Sequence, residues 1–216
     1  MARSRLKTDR STGRHPEPVT VSPIPFEPAS APPLLSAPPA VVPAARRYHA
    51  GQNDPTAQMP FRPLPLPAPI AGAVWLHSMP GRLERWDAFL AEAQRNRVSL
   101  IVCLTPRHEL ASLSPAYAAA LRDGTLAMRW LALPMRDFGL ADNLREFRAG
   151  IESVAEAVRT GDSALLHCAA GIGRTGTAAA CLLKRLGVPR ELALQQVLAA
   201  GSNPESAAQA GLINSF

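Results

Sequence analysis

The apolar residues after position 70 follow two spacings along the chain. Short continuous apolar runs, such as the one at 99–104, are typical of strands buried in a parallel sheet. Longer segments repeat apolar residues every three or four positions, as amphipathic helices do. These patterns predict strands at 73–77, 99–104, 128–133 and 163–166, and helices at 83–95, 144–158, 177–186 and around Gln209. Because strands alternate with helices, we expect an α/β sandwich.

The first seventy residues have a different composition. They hold 16 of the chain's 22 prolines and show no sustained apolar periodicity. Such a segment has too little apolar surface to offset the entropy cost of ordering it. We therefore expect residues 1–70 to be a disordered Pro-rich tail and residues 71–216 to form one domain. The tail could be a linker, a docking segment for proline-reading domains or an export signal, although it lacks the apolar core of a cleavable signal peptide.

The net charge of +6 is shared unevenly between the two parts. The tail has eight basic and four acidic residues, and residues 71–216 have 15 and 13. Because the domain is nearly neutral, the basic balance does not indicate a nucleic-acid partner. No run of 18 apolar residues is present, so no membrane span is expected.

Strand, loop and helix follow one another around residue 168. The apolar run at 163–166 leads into His167 and Cys168, then into the glycine-rich stretch at 169–173, and a helix-forming run follows. In this arrangement backbone N–H groups turn inward and the positive end of a helix dipole points at the loop. Such a loop binds a tetrahedral oxyanion, and it favours the thiolate form of a cysteine at its mouth.

Each residue type in the loop suits phosphoryl transfer. A Cys168 thiolate would be a strong nucleophile toward phosphorus. Arg174 offers a planar fork for two phosphate oxygens, which a lysine does not. The Thr175 hydroxyl could donate a hydrogen bond to the Cys168 sulfur and stabilise it as a leaving group. Glycines at 171 and 173 allow close approach of the backbone. The sequence therefore predicts a phosphocysteine intermediate, with no cofactor and no metal.

The stretch His-Cys-Ala-Ala-Gly-Ile-Gly-Arg-Thr-Gly at 167–176 resembles the His-Cys-x5-Arg-Thr/Ser signature of the cysteine-dependent protein phosphatases, the tyrosine and dual-specificity superfamily. The resemblance implies a central, mainly parallel sheet covered by helices. It also implies that the phosphate is bound by Ala169, Ala170, Gly171, Ile172, Gly173 and Arg174. Residues 75–81, the region around Glu109 and the loop after residue 133 are most similar to the kinase-associated dual-specificity group. Sulfurtransferases of the rhodanese type carry similar loops, but the Gly-Arg-Thr-Gly ending argues against them.

Expulsion of the leaving oxygen requires a general acid, and Asp137 is the candidate. The predicted strand at 128–133 runs into Pro134, Asp137 and Gly139, as in the acid loop of the dual-specificity branch. Asp142 is the competing carboxylate, but with Asn143 it precedes an amphipathic run and fits a helix cap better. The family often has proline four residues after the acid, where this chain has Ala141, and the Trp-Pro-Asp triplet of the tyrosine-specific branch is absent.

Two further residues have supporting roles. In the tyrosine-specific branch, a glutamine near the C-terminus orients the water that hydrolyses the phosphocysteine, and Gln209 resembles it. Alternatively, Gln209 is an exposed helix residue or bonds to the backbone of the phosphate loop. His167 is expected to brace the loop by hydrogen bonding and not to act as a base.

The three cysteines indicate a reducing compartment without a disulfide framework. We expect Cys103 and Cys181 to be core residues, although either could be a resolving partner that protects Cys168 from overoxidation. A cytoplasmic location is the simplest reading. Only two of the 23 basic residues are lysine, which with abundant alanine indicates a GC-rich bacterial source, so a secreted bacterial effector acting in a host cytosol is the alternative.

The predicted function is hydrolysis of phosphotyrosine in proteins, with phosphoserine and phosphothreonine as additional candidates. No lysine lies in the loop to neutralise a second phosphate, which favours a phosphoprotein with a single phosphate. Two alternatives stay open. One is a phosphatase for inositol phosphates, phosphoinositides or RNA 5′-phosphates, and the other is a catalytically silent module that binds phosphoproteins.

Overall fold

The computed structural model describes residues 61–216, and residues 1–60 of the predicted tail (1–70) lie outside the described residues. Within this part, five strands form one sheet in the order β1-β2-β5-β3-β4. The strands are β1 (Arg62–Leu64), β2 (Ala73–His77), β3 (Leu100–Cys103), β4 (Arg129–Ala132) and β5 (Ser163–His167). The helices are α1 (Trp86–Arg95), α2 (Arg107–Leu113), α3 (Pro115–Arg122), α4 (Leu144–Arg159), α5 (Gly173–Arg185), α6 (Arg190–Ala199) and α7 (Ala207–Asn214). The α/β prediction, with a mainly parallel sheet flanked by helices, is confirmed.

The folded part begins earlier than we expected. β1 lies inside the segment predicted to be tail, and it pairs antiparallel with β2 so that Arg62 is opposite Leu76. Pro63 and Pro65 argued against a strand here, because proline cannot donate to a sheet ladder. An edge strand tolerates proline, since one of its sides has no neighbouring strand to receive N–H groups. Residues 62–64 therefore belong to the sheet, although the sequence placed them in the tail.

The central strands β3 and β5 are buried at every position, which explains their continuous apolar sequences. Leu100 and Val102 of β3 join a cluster with residues of α4 and α5. Ile101 and Cys103, which point the opposite way, join a second cluster with residues of α1 and α3. Successive side chains of a strand point to opposite faces, so a strand covered by helices on both sides needs apolar residues at every position.

The predicted helices begin at somewhat different residues. α1 starts at Trp86, not at Leu83, and Leu83 is 53% exposed in the preceding turn. α5 starts at Gly173, four residues before the predicted Thr177, because the end of the glycine-rich loop is already the first helical turn. Helices α2, α3 and α6 had no counterpart in the sequence prediction. Between residues 61 and 216, no helix combines the length and the apolar character that a membrane crossing requires.

Candidate active site

The predicted phosphate loop lies at the edge where the parallel strands end. β5 ends at His167, which pairs in register with His77 of β2 and Cys103 of β3. Cys168 therefore leaves the sheet at the middle of this edge, where open α/β sheets commonly bind ligands. Cys168 is buried, and the backbone N–H of Gly171 donates to its sulfur at 3.2 Å. This contact ties the sulfur to the backbone of the loop.

The loop alternates between buried and exposed positions. Gly171 and Gly173 are buried, whereas Ala170 and Ile172 are exposed and Ala169 is half-buried. Gly171 has a φ of +77°, and a Cβ there would collide with the carbonyl of the strand residue His77. At Gly173, the atoms nearest to a Cβ would belong to the Glu205 side chain. Backbone conformation and close packing thus demand glycine at 171.

Arg174 is the most strongly held side chain of the site. It is 3% exposed, and its guanidinium donates to both carboxylate oxygens of Glu109 at 3.2 Å and to the carbonyl of Met135 at 3.3 Å. Burial, the largest influence, lowers the pKa of Arg174, but the bonds to Glu109 and the charges of Cys168 and Asp137 together raise the pKa above its ordinary value. The guanidinium is therefore a fixed cation that interacts electrostatically with Cys168.

Asp137 also contacts this guanidinium. Its Oδ1 lies 3.3 Å from Nη2 of Arg174, although the side chain is 63% exposed. The loop that carries Asp137 is a tight turn, in which Gly139 N–H donates to Arg136 O and Arg136 N–H donates to Leu140 O, each at 3.0 Å. Phe138, at the tip of the turn, has a φ of +52° and is 59% exposed.

Asp142, the competing carboxylate, has a different partner. It forms an ion pair with Arg136. Asn143 is the N-cap of α4, where its side chain accepts from the backbone N–H groups of Arg145 and Glu146 at 3.1 and 3.2 Å. The prediction that the Asp142–Asn143 pair begins a helix is correct, with Asn143 as the capping residue. Only Asp137 of the two aspartates pairs with Arg174.

The hydrogen bonds around His167 define its tautomer. Trp130 Nε1–H donates to the hydroxyl of Tyr117 at 2.8 Å, so that hydroxyl directs its own proton to His167 Nε2 at 3.1 Å. Nδ1–H is then left to donate to the carbonyl of Cys168 at 3.3 Å. Burial lowers the pKa of His167 to about 3. A neutral imidazole that donates to the loop backbone fits a bracing role.

Thr175 and Gln209 are buried, but neither makes the bond that the sequence suggested. The Thr175 hydroxyl has no hydrogen-bond partner within residues 61–216, so a bond to the Cys168 sulfur stays a prediction. Gln209 is fully buried on α7, not exposed. Its Oε1 accepts from Glu205 N–H at 2.8 Å, and its Nε2 donates to Gly139 O at 3.3 Å. Gln209 thus contacts the loop of Asp137 and not the backbone of the phosphate loop.

The other two cysteines are core thiols. Cys103 and Cys181 are buried, and burial raises the pKa of each to about 12. Both side chains are therefore protonated at neutral pH, which makes them poor attacking thiols.

Sequence patterns did not assign roles to several residues that hold the site. Glu109 lies 65 positions from Arg174, and Tyr117 lies 50 positions from His167. Two other residues, Arg62 and Ser202, donate to the carbonyl of Gly171 from 109 and 31 positions away. The sequence marked the region around Glu109 only as similar to the kinase-associated group, and the phenol, the hydroxyl and the Arg62 guanidinium carry no local signal of such contacts.

Known proteins share the fold of this chain, and a protein-family model matches a segment that includes the phosphate loop. The family model described as "Swiss Army Knife protein, DSP-PTPase phosphatase domain" matches residues 76–210. The chain therefore belongs to this family of dual-specificity and protein-tyrosine phosphatase domains. No curated protein sequence matches the chain significantly.

Solved structures with the same fold include several phosphatases. Kinase associated phosphatase with a serine in place of its catalytic-site cysteine has a TM-score of 0.62 at 18% identity, with 74% of this chain and 96% of that chain covered. PTPMT1 has a TM-score of 0.54 at 17% identity, covering 66% and 88%. The human tyrosine phosphatase-like serine/threonine/tyrosine-interacting protein has a TM-score of 0.53 at 19% identity, covering 66% and 89%. At these identities the likeness concerns the fold.

Proposed function

We propose that the chain hydrolyses phosphotyrosine in proteins through a phosphocysteine intermediate, with phosphoserine and phosphothreonine as additional candidate substrates. One contact carries the proposal: the Asp137 carboxylate lies 3.3 Å from the Arg174 guanidinium. A phosphate held by that guanidinium would lie between a cysteine nucleophile and a carboxylic acid. These are the groups that a two-step phosphoryl transfer requires.

In the first step, the Cys168 sulfur attacks phosphorus while the bond from phosphorus to the leaving oxygen breaks. Asp137 gives its proton to that oxygen, which leaves as a neutral hydroxyl group. Arg174 and the backbone N–H groups of 169–173 stabilise the equatorial oxygens of the phosphoryl group. Glu109 holds the guanidinium in place for this contact.

In the second step, the Asp137 carboxylate takes a proton from water as the water oxygen attacks phosphorus. The bond between sulfur and phosphorus breaks, and inorganic phosphate and the Cys168 thiolate are released. The Thr175 hydroxyl, which is buried and has no partner among the described residues, supplies a hydrogen bond to the departing sulfur. No oxidant, reductant or metal takes part in either step.

The mouth of the site favours an aromatic monophosphate. Phe138 follows the acid, Ile172 lies in the loop, and both side chains are exposed and apolar. They would pack against the ring of phosphotyrosine. The carboxylate of Glu205 lies beside Gly173, and this negative charge opposes a second phosphate on the same substrate.

Two other functions are kept as alternatives because related folds support them. PTPMT1 is described in complex with PI(5)P, which favours a phosphoinositide substrate. The human relative is described as a phosphatase-like interacting protein, which favours binding without turnover. The uncharged loop and Glu205 argue against the first alternative. The intact set of Cys168, Asp137 and Arg174 argues against the second.

A substrate panel tests the proposal. A phosphotyrosine peptide, phosphoserine and phosphothreonine peptides, inositol polyphosphate and phosphoinositide vesicles are assayed for phosphate release with a chelator present. We expect the highest kcat/KM on the phosphotyrosine peptide. Equal or faster release from the inositol substrates would replace the protein-substrate proposal, and binding of the peptide without release would indicate a silent module.

A further inference from the structure

Two carbonyl groups of the phosphate loop are each held by two donors from elsewhere in the fold. The carbonyl of Ala169 accepts from Met79 N–H at 3.2 Å and from the Arg82 guanidinium at 2.8 Å. The carbonyl of Gly171 accepts from the Arg62 guanidinium at 2.5 Å and from the Ser202 hydroxyl at 2.7 Å. Both carbonyls are thereby fixed in direction. A carbonyl turned toward the phosphate would repel it, so these bonds bear on anion binding.

Peptide geometry converts a fixed carbonyl into a fixed N–H group. The C=O of Gly171 and the N–H of Ile172 belong to one planar trans peptide and point in opposite directions. Arg62, on β1, and Ser202, in the segment after α6, hold the C=O toward their own side of the loop. The N–H of Ile172 consequently points to the opposite side, away from both donors.

Arg62 is well placed for this task. Besides Gly171, its guanidinium donates to the carbonyls of Ala200, at 3.2 Å, and Gly201. These carbonyls lie at the C-terminal end of α6, which carries partial negative charge. Arg62 therefore joins edge strand β1, the end of α6 and the phosphate loop through one cation. It lies outside the family match at 76–210.

We propose that Arg62 is a positioning residue which, together with Ser202, orients the Gly171–Ile172 peptide for phosphate binding. This inference rests on the proposed function, because it assumes that the loop binds phosphate. Neither residue contacts the reacting atoms. Their effect passes through a single carbonyl, and either donor alone keeps that carbonyl partly in place.

The test compares Arg62→Ala, Ser202→Ala and the double variant in the full chain. Three properties are measured: kcat/KM on p-nitrophenyl phosphate, inhibition by inorganic phosphate, and the midpoint pH of Cys168 alkylation by iodoacetamide. Each single change should lower kcat/KM by about twofold to fivefold, as expected for one of two hydrogen bonds. The double variant should lose about 10²–10³-fold, the cost of one misdirected oxyanion donor, which exceeds the product of the single effects.

The same changes should weaken inhibition by phosphate and move the alkylation midpoint to higher pH. Arg62→Lys, which keeps the charge and one donor, should recover part of the loss even if Arg62→Ala folds poorly. Arg129→Ala is the matched control, because Arg129 lies on the opposite edge strand and pairs with Asp162 at 2.5 Å. It should leave all three properties unchanged.

The inference would be overturned if the loss of kcat/KM in the double variant equalled the product of the two single losses. It would also be overturned if the losses of kcat/KM followed the losses of thermal stability while the midpoint pH of Cys168 alkylation did not change. Its failure can be told apart from failure of the proposed function. Wild type without turnover would refute the function. Phosphate binding by the loop can still be measured in that case, because bound inorganic phosphate should protect Cys168 from alkylation by iodoacetamide. Equal protection in wild type and the double variant would then refute the role of Arg62 and Ser202.

Discussion

Replacing Glu109 with alanine should lower both stability and turnover, because this carboxylate accepts from both Nη1 and Nη2 of the Arg174 guanidinium. The change removes three donor–acceptor contacts of 3.2 Å between the two side chains. Arg174, which is 3% exposed in the intact site, keeps the carbonyl of Met135 and the exposed Asp137 as partners. A buried cation then has less compensation for its lost hydration.

The size of the effect follows from burial. Hydrogen bonds to charged groups contribute about 1.5–3 kcal/mol, and breaking a fully buried ion pair costs about 3–5 kcal/mol. The Glu109 side chain is 23% exposed, so water screens part of the interaction and the lower end applies, at about 2 kcal/mol. For a domain of this size that corresponds to a fall in Tm of about 4–8 °C. A guanidinium displaced by about 1 Å should also lower kcat/KM by roughly 10²-fold.

Thermal unfolding followed by circular dichroism and steady-state hydrolysis of p-nitrophenyl phosphate measure the two effects. Glu109→Gln, which keeps one acceptor but no charge, should fall between wild type and Glu109→Ala. Glu156→Ala is the control, because Glu156 pairs with Arg159 at the surface at 3.6 Å. A kcat/KM within threefold of wild type in Glu109→Ala would refute the reasoning that Glu109 positions Arg174.

Three further changes test other parts of the site. In p-nitrophenyl phosphate hydrolysis, Asp137→Asn should lower kcat by about 10²–10⁴-fold, whereas the kcat of Asp142→Asn should stay near that of wild type. A large loss in Asp142→Asn and none in Asp137→Asn would reject Asp137 as the acid. Below about pH 6.5 the unfolded chain protonates His167 while the folded chain, with a pKa of about 3, does not, so stability falls on acidification by up to about 1.4 kcal/mol per pH unit. Urea unfolding at several pH values should show a shallower decline in His167→Asn, and an equal decline would contradict the buried neutral histidine. Gly171→Ala should lower Tm strongly because of its φ of +77° and the nearby His77 carbonyl. Gly173→Ala should lower Tm less, because the atoms nearest to the new methyl group belong to the flexible Glu205 side chain, and equal Tm values for the two variants would contradict this difference.

Sequence patterns predicted the parallel part of the fold because that part depends on local periodicity. The strands at 73–77 and 163–166 and the helix beginning at Leu144 each carry an apolar spacing that burial on one or two faces requires. β1 escaped prediction because Pro63 and the prolines that follow it resemble the tail, and the position of β1 at the sheet edge makes Pro63 acceptable.

The residues of the site also fall into two groups, those that the sequence predicted and those that it did not. Cys168, Arg174 and the loop glycines lie within one short motif, so their spacing is visible in the sequence. Glu109, Tyr117, Ser202 and Arg62 reach the loop only through folding, at separations from 31 to 109 positions. Chain order gives no signal for such contacts, since any carboxylate or hydroxyl elsewhere could have supplied them.

Direct detection of the phosphocysteine tests the central claim. The enzyme is mixed with p-nitrophenyl phosphate, quenched in acid within the first turnovers and digested for mass spectrometry. We expect a phosphoryl group on the peptide that contains Cys168, its accumulation in Thr175→Ala, and its absence in Cys168→Ser together with loss of turnover. Turnover that persists in folded Cys168→Ser, or phosphate release from wild type with Cys168 never modified, would contradict the account.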